Sequence, residues 1–251
     1  MFELLLENTT GKWWFDDRSI SLSLINTALA VAFLDSQKER LIQALKPFLN
    51  EEPKDSIWRG STQEKAAIIM YRILEKFDGQ EVATEYLYKH LEDYDAFCDI
   101  AFSKLLKEQQ FSQAEAIARI GEKSSYYGVS RKWKENRLKC YEQAGEVEKA
   151  RGLLFEFALE GDFDYFQRLK NTYTLESWQE NKKHVVEAIK EKASLEREYP
   201  QILVYEGEKS FLLELVKKSK KPIEYYYRYL IPEYQEEIKS ILFQQSKDSA
   251  Q

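Results

Sequence analysis

Two histidines and two cysteines are the side chains of this 251-residue chain best suited to nucleophilic or metal chemistry. Cys98 follows His90 by eight residues, so a loop could bring a thiol close to an imidazole base. No third group that would orient the imidazole is evident in the sequence. His184 directly follows Lys182 and Lys183, which is typical of a helix surface. We therefore interpret these residues as packing and surface residues rather than as a nucleophilic site.

Other patterns of catalytic or cofactor sites are missing from the sequence. The cysteines and histidines do not have the spacing of a zinc site. The nine glycines are scattered and form neither a phosphate-binding loop nor the strand-to-helix turn of a dinucleotide site. Carboxylates are abundant, but pairs such as Glu146–Lys149 have the i, i+3 spacing of solvated helix partners. We expect no catalytic residue, no metal and no cofactor, and thus a protein that is not an enzyme.

The composition favours long helices joined by short connections. Only 9 Gly and 5 Pro occur, whereas folds rich in β-strands need many turn glycines. With 43% hydrophobic residues, the chain is long enough to bury a substantial core. The longest apolar stretch, residues 22–34, is interrupted by polar residues and is too short to span a bilayer. We therefore expect an all-α protein that is not embedded in a membrane.

Charge and cysteine content bear on the partner and the compartment. The net charge is −6, with acidic and basic residues mixed, whereas nucleic-acid-binding proteins usually carry a concentrated basic excess. The one dense basic run, residues 217–221, is what a solvated helix C-terminus prefers. Two cysteines without a disulfide pattern, and a start without a basic signal region, predict a cytoplasmic protein.

Three segments repeat a pattern of helix, break and helix. They are residues 74–83, 105–114 and 141–150, and each begins with a large apolar residue and ends in alanine nine positions later. A small residue early in the second helix allows two antiparallel helices to approach closely. The pattern therefore predicts an all-α fold, an α-solenoid of about six antiparallel helix pairs.

The third segment, extended to residue 158, resembles a tetratricopeptide repeat, and residues 98–121 are similar. The residues that carry the resemblance in the third segment are Tyr141, Gly145, Glu146, Ala150 and Leu154. The tryptophan that these repeats favour appears only as Trp133, one position away, and the usual closing proline is missing. The resemblance implies a superhelix whose concave surface binds a protein or peptide.

A second and less specific resemblance covers roughly residues 98–243. This part of the chain is similar to the helical-repeat region of bacterial SWIM-type zinc-finger proteins. The resemblance lies in the order of four features: the helix pair ending at residues 150–154, the stretch 159–166, a Leu/Val-rich helix after Gly207 and the segment 229–237. The finger itself needs three cysteines and a histidine and is absent. A nucleic-acid role that the family owes to its finger is therefore not implied.

The helical patterns divide into three parts of one continuous solenoid. Residues 1–60 are expected to form an N-terminal helical cap, residues 61–160 the tetratricopeptide-like repeats, and residues 161–251 irregular helical repeats with a C-terminal cap. Within the first part, apolar spacing predicts a well-buried helix from Ser19 to Leu34 that includes Phe33. Ser36 and Glu39 have the spacing of a capping box for the next helix.

In a solenoid of this kind the first helix of each pair lines the concave surface. Placing the turns in register predicts eight inward residues, namely Arg72, Glu75, Asp99, Ser103, Lys132, Glu135, Asn136 and Lys139. Lys132, Asn136 and Lys139 share one helix face, and an Asn flanked by lysines can hold the terminal carboxylate of a peptide. Asp99 and Ser103 do not complete such a clamp from the neighbouring repeat, so a carboxylate clamp is not the favoured interpretation.

The sequence thus predicts a non-catalytic module that binds a protein or peptide in a groove. We interpret the four tyrosines in the five residues 225–229 mainly as core or end-cap packing. They must point around more than half of a helix, so at least one should be exposed, and Tyr226 and Tyr229 are the candidate interface residues. Two alternatives stay open. A nucleic-acid accessory factor requires a clustered positive surface. An enzyme on a helical scaffold requires a closed pocket that joins His90 or His184 to carboxylates.

Overall fold

The structure, a computed structural model, describes residues 1–9, 18–50, 61–124, 127–192, 199–218, 223–231 and 233–248. Over these residues the chain is all helical and contains no β-strand, which confirms the predicted all-α class. None of the described helices is both long and apolar enough to cross a membrane. The contacts divide the chain into two compact units, Met1–Ala144 and Gly145–Gln251.

The described part of the first unit consists of eight helices. They are α1 (Phe2–Thr9), α2 (Arg18–Ala30), α3 (Asp35–Leu49), α4 (Ser61–Phe77), α5 (Gln80–Lys89), α6 (Asp95–Lys107), α7 (Phe111–Ser124) and α8 (Tyr127–Ala144). Each helix packs mainly against its neighbours in the sequence. In addition, α2 packs on α4, and α4 packs on α6.

Two apolar clusters fill the first unit, and α4 belongs to both. Its residues Ile69 and Ile73 pack with α1, α2 and α3, whereas Ala67 and Tyr71 pack in a cluster that extends to α8. The two residues of each cluster are four positions apart and share one side of the helix, whereas residues of different clusters are two positions apart and point to different sides. Helix α4 is therefore buried on two sides. This double burial fixes the position of the polar residues that α4 carries on its remaining face.

Gly121 brings α7 and α8 into close contact. The indole of Trp133 on α8 is fully buried, and a Cβ atom at position 121 would clash with that ring. Only glycine fits here, because the ring occupies the space of any side chain.

Three helices begin at the turn that the repeated segments predict. Helices α5, α7 and α9 each start three residues before the closing alanine, and all three alanines are buried, namely Ala83, Ala114 and Ala150. The backbone turns through a left-handed conformation at Gly79 (φ 92°), Gln109 (φ 58°) and Gly145 (φ 72°). Glycine adopts this conformation without steric cost, whereas Gln109 adopts it against the preference of a residue with a side chain.

The same kind of turn recurs beyond the three segments. Gly161 (φ 93°) and Gly207 (φ 69°) each precede the next helix by two residues, as Gln109 and Gly145 do. The backbone N–H of Glu208 donates to the Leu203 carbonyl at 2.9 Å, and the N–H of Gln110 donates to Leu105 at 2.9 Å. Both hydrogen bonds span six residues and close a Schellman turn.

The described part of the second unit contains seven α-helices and one short 3₁₀ helix. They are α9 (Val147–Leu159), α10 (Phe163–Asn171), α11 (Leu175–Lys192), α12 (Tyr199–Glu206), α13 (Lys209–Lys218), the 3₁₀ helix Ile223–Tyr225, α14 (Tyr227–Leu230) and α15 (Gln235–Asp248). Aromatic side chains dominate the core around Phe166, which contacts Trp178 edge to face.

A carboxylate is buried and fully paired in the second unit. The side chain of Glu206 is 4% exposed, and its oxygens accept hydrogen bonds from Lys170 Nζ at 2.9 Å and from the indole N–H of Trp178 at 3.0 Å. These contacts join α10, α11 and α12. Because both oxygens have partners, the charge is accommodated inside the unit rather than offered to a ligand.

The predicted helix from Ser19 to Leu34 is wrong at its end. Helix α2 stops at Ala30, and the Phe33 side chain is 80% exposed instead of buried. Two side chains terminate the helix: Gln37 Oε1 accepts the N–H of Phe33 at 2.7 Å, and Lys76 Nζ donates to the Leu29 carbonyl at 2.8 Å.

The capping of α3 also differs from the prediction. Helix α3 begins at Asp35, and Leu34 rather than Ser36 precedes its first residue. Gln37 Oε1 accepts the backbone N–H of Leu34 at 3.0 Å, so Gln37 takes the place predicted for Glu39. The glutamine prevails because its side chain satisfies two backbone donors, those of residues 33 and 34, at once.

The tyrosine run is not a single helix. Residues 223–225 form a 3₁₀ helix, and α14 begins only at Tyr227. The Tyr226 N–H donates to the Ile223 carbonyl at 2.8 Å, which closes the tight turn between them. The change of helix type alters the directions in which consecutive tyrosines point.

Candidate functional site

Cys98 and His90 do not form a nucleophilic pair in this structure. The Cys98 side chain is buried, its Sγ donates to the Leu91 carbonyl at 3.2 Å, and burial raises the pKa of the thiol to about 12. His90 instead pairs with Asp93, with 2.7 Å between Nδ1 and the carboxylate. A buried thiol that stays protonated lacks the reactivity of a thiolate nucleophile.

The remaining candidates for metal or acid–base chemistry lie apart. His184 is exposed on α11. Within the described residues, no three His, Cys, Asp or Glu side chains come together in a way that could hold a metal ion. Cys140 is buried on α8, and burial raises the pKa of its thiol to about 11.

Asp99 on α6 and Lys132 on α8, two of the predicted inward residues, contact each other directly. Lys132 Nζ lies 2.5 Å and 2.7 Å from the two carboxylate oxygens of Asp99. Both side chains are nearly half exposed, at 48% for Lys132 and 44% for Asp99. The pair therefore joins the exposed faces of α6 and α8 across the surface.

An open depression of about 510 Å³ lies beside the exposed face of α6. Two predicted residues, Asp99 and Ser103, line it, together with Lys104 and Lys107. Both lysines are exposed, and neither makes an ion pair with another described residue. Asp99 is neutralised by Lys132, and the lining also includes the exposed carboxylate of Glu108, so the two lysines leave a net of about one positive charge in this depression.

The other predicted residues of α8 have differing surroundings. Glu135 accepts a hydrogen bond from Arg131 Nε at 3.2 Å. Asn136 is half-buried, and its amide has no hydrogen-bond partner among the described residues. Lys139 is exposed and likewise lacks an ion-pair partner in the described part of the chain. Asn136 and Lys139 can therefore contact a ligand without breaking a bond to the protein.

Arg72 lines a second open depression of about 210 Å³, which lies between α2 and α4 and is named the α2/α4 groove. Its described lining residues are Ser19, Leu22, Ser23, Asn26, Lys65, Ile68, Ile69 and Arg72. Of these, only Arg72 was predicted. Glu75, one turn further along α4, is exposed and accepts a hydrogen bond from the Tyr71 hydroxyl at 3.4 Å.

Two successive contacts show that α2 and α4 run in the same direction. Arg72 Nη1 donates to Asn26 Oδ1 at 3.2 Å, and one turn later Lys76 Nζ donates to the Leu29 carbonyl at 2.8 Å. Helix α3 lies between them in the sequence and packs on both.

A partly buried polar network joins α7 and α8. The Tyr141 hydroxyl donates to Glu115 Oε1 at 2.8 Å, Arg119 also donates to Glu115, and Arg137 Nη1 donates to Glu122 at 2.7 Å. Burial alone would raise the pKa of Glu115, but the hydrogen bonds from Tyr141 and Arg119 outweigh it and hold that pKa below its ordinary value. The network fixes the two helices and leaves little charge for a ligand.

The aromatic candidates lie in the second unit. The Tyr229 side chain is 50% exposed, Tyr226 is half-buried, and the neighbouring Tyr225 is 68% exposed. Of the basic run predicted as a helix C-terminus, Lys217 and Lys218 end α13 and are exposed, while residues 219–221 lie outside the described part. Lys218 Nζ contacts Glu214 at 2.6 Å, so at least this lysine is paired.

Sequence reasoning missed the residues of α2 that line the α2/α4 groove. The apolar residues of this segment predicted a buried helix. The polar stripe of the same helix consists of Ser19, Ser23 and Asn26, and these residues line the groove. A signal was present, because Ser19, Leu22, Ser23 and Asn26 have the i, i+3, i+4, i+7 spacing of one helix face.

No protein-family model, no curated protein and no solved structure matches this chain.

Proposed function

We propose that the protein is a non-catalytic interaction module that binds a protein or peptide on one side of its first unit. That side consists of the exposed faces of α2, α4, α6 and α8 and is named the even-helix side. One observation carries the proposal: the described lining of both open depressions comes from α2, α4 and α6 and from Glu108, which directly follows α6. Helices α3, α5 and α7 contribute no described residue to either depression.

The arrangement of helices supports a solenoid of helix pairs in which the even-numbered helices share one surface. Helices α2 and α4 are parallel, and the Asp99–Lys132 pair joins α6 to α8. The repeated left-handed turns before α5, α7 and α9 are also those expected of regular helix pairs. Extended surfaces formed in this way are suited to binding elongated peptide segments.

Unpaired polar groups on the even-helix side support binding rather than a purely structural role. Four lysines have no ion-pair partner among the described residues, namely Lys65, Lys104, Lys107 and Lys139. The amide of Asn136 likewise has no hydrogen-bond partner among them. By contrast, the charges between α7 and α8 satisfy one another. Open, shallow depressions suit a macromolecule better than a small substrate, which usually needs an enclosing pocket.

A quantitative pull-down with a charge-reversal variant tests the proposal. Lys104→Glu/Lys139→Glu changes two exposed residues of the even-helix side, so the fold is retained while the surface charge is inverted. Full-length protein is used as bait in an extract of its native host, and bound proteins are quantified by mass spectrometry. We expect the variant to lose proteins that the wild type retains, because a complementary partner is now repelled.

The control is Lys89→Glu/Lys123→Glu, which produces the same change in net charge on α5 and α7, where both lysines are exposed. We expect this variant to retain the partners of the wild type. Thermal unfolding monitored by circular dichroism checks that all three proteins are folded. Loss of the same partners in both variants, or equal recovery by all three proteins, contradicts the proposed surface.

A further inference from the structure

The α2/α4 groove has an apolar floor between polar side chains. On α4, Lys65, Ile68, Ile69 and Arg72 follow the same i, i+3, i+4, i+7 spacing as the stripe on α2, so two helix faces oppose each other along two turns. Leu22 and Ile69 are almost fully buried at 3% and 5%, whereas Lys65 and Arg72 are exposed. Aliphatic side chains thus form the floor, and two cations lie about 10 Å apart along α4.

Lys65, Arg72 and Asn26 provide the groove with free hydrogen-bond donors. Lys65 has no partner among the described residues, and Arg72 uses only one of its N–H groups, on Asn26 Oδ1. That bond leaves the amide N–H groups of Asn26 free, because an amide accepts through oxygen and donates through nitrogen. Ser23 already donates to the Ser19 carbonyl at 2.8 Å. A ligand that satisfies the donors of Lys65, Arg72 and Asn26 must supply acceptors.

The charge of the groove favours carboxylate as the acceptor. The described lining contains Lys65 and Arg72 but no acidic side chain, although the whole chain carries a net charge of −6. Guanidinium and ammonium groups form their strongest hydrogen bonds with anionic oxygens. Aspartate and glutamate side chains therefore fit the polar ends, and aliphatic side chains fit the floor.

The dimensions favour a peptide over a free small molecule or a nucleic acid. A length of about 10 Å accommodates about three residues of an extended chain. The volume of about 210 Å³ is below the range of about 300–1,000 Å³ that is typical of small-molecule pockets. The described floor is aliphatic and offers no aromatic ring on which a nucleobase could stack.

We propose that the α2/α4 groove binds an extended segment of a partner protein in which acidic residues lie within three positions of an aliphatic residue. This inference rests on the proposed function and specifies the chemistry of its ligand. Lys65 and Arg72 bind the carboxylates, the amide of Asn26 donates a further hydrogen bond, and Leu22, Ile68 and Ile69 contact the aliphatic side chain.

Selection from a phage library of random peptides of about twelve residues tests the ligand chemistry directly. The full chain is the target, and the most enriched peptide is then synthesised with a fluorescent label and titrated by anisotropy. We expect enriched peptides with acidic residues near an aliphatic one. Lys65→Gln/Arg72→Gln should weaken binding of the labelled peptide about tenfold or more, because it removes two charge-assisted contacts.

Lys89→Gln/Lys123→Gln on α5 and α7 is the matched control and should leave the affinity unchanged. Enriched peptides without acidic residues, or equal affinity of the wild type and Lys65→Gln/Arg72→Gln, overturn the inference. It is also overturned if a labelled oligo-dT binds and Lys65→Gln/Arg72→Gln weakens that binding more than it weakens peptide binding. If the peptide results fail while the pull-down still separates Lys104→Glu/Lys139→Glu from its control, only the groove assignment is lost.

Discussion

Among the described residues of the first unit, some charged side chains satisfy one another and others have no described partner. Glu115 belongs to the first group, since Tyr141 and Arg119 both donate to its carboxylate. Lys65 and Lys139 belong to the second group within the described residues. The first group stabilises the packing of α7 on α8, and the second is available to a partner. Each group has its own measurable consequence.

The contribution of Glu115 to stability should depend on pH. Because the pKa of Glu115 is lowered in the folded protein, its carboxylate stabilises the fold above the unfolded pKa of about 4.3. This stabilisation is lost as pH falls through the folded-state value. We expect Glu115→Gln to reduce the free energy of unfolding by about 1–2 kcal/mol near pH 7, and the difference from wild type to shrink below about pH 4.

Urea unfolding followed by circular dichroism between about pH 3 and 7 measures this difference. Glu92→Gln, at an exposed position in the turn before α6, is the control and should change stability by less than about 0.5 kcal/mol at every pH. A difference between Glu115→Gln and wild type that is independent of pH would show that the carboxylate charge does not contribute.

Individual site residues were harder to predict than the elements that carry them. The register of the turns placed Asp99 and Lys132 on one surface, and the structure brings these two into contact. The register of the turns did not show that Lys65 and Asn26 line one groove, because a groove between α2 and α4 depends on which helices pack together. That packing is decided by contacts between residues about 45 positions apart, such as Asn26 and Arg72.

At the scale of the elements, the turns are the feature that recurs most regularly. A left-handed residue precedes α7, α9, α10 and α13 by two positions, in spite of differing sequences. The repeated alanines were predictable because a small residue after a helix break is visible in the sequence. The end of α2 was not, because Gln37 and Lys76 terminate it from outside the helix. The apolar periodicity of a segment contains no information about contacts from residues outside that segment.

Two glycines of the second unit should respond in opposite directions to the same substitution. Gly207 has φ 69°, whereas Gly152 lies within α9, and a Cβ atom would meet no neighbour within 4 Å at either position. Gly207→Ala should lower the free energy of unfolding by about 1 kcal/mol, because alanine disfavours a left-handed backbone. Gly152→Ala should raise it by about 0.5–1 kcal/mol, because alanine is the better helix former.

Chemical denaturation of the full chain measures both values, and each variant is the control for the other. The two sites have the same free space around a Cβ atom and differ in backbone conformation. If Gly207→Ala is neutral or stabilising, the left-handed turn does not constrain the residue type at that position.

At the scale of the whole molecule, the acidic net charge and the unpaired cations act together. A net charge of −6 repels acidic partners from most of the surface, whereas the described lining of the α2/α4 groove carries Lys65 and Arg72 and no acidic side chain. Such a distribution orients an acidic partner before contact. The helical class was predictable from the sequence, and the use of a groove stays a prediction. The local charge depends on which acids are neutralised, as Asp99 is by Lys132.

Site-specific photo-cross-linking in the native host tests the central claim most directly. A photoreactive phenylalanine analogue replaces Ser103 on α6 or, as the control, Gln113 on α7, and both positions are exposed. If the even-helix side is the binding surface, the analogue at position 103 yields discrete cross-linked partner bands and the analogue at position 113 yields none. Bands from position 113 with none from position 103 would contradict the claim that α2, α4, α6 and α8 form the binding surface.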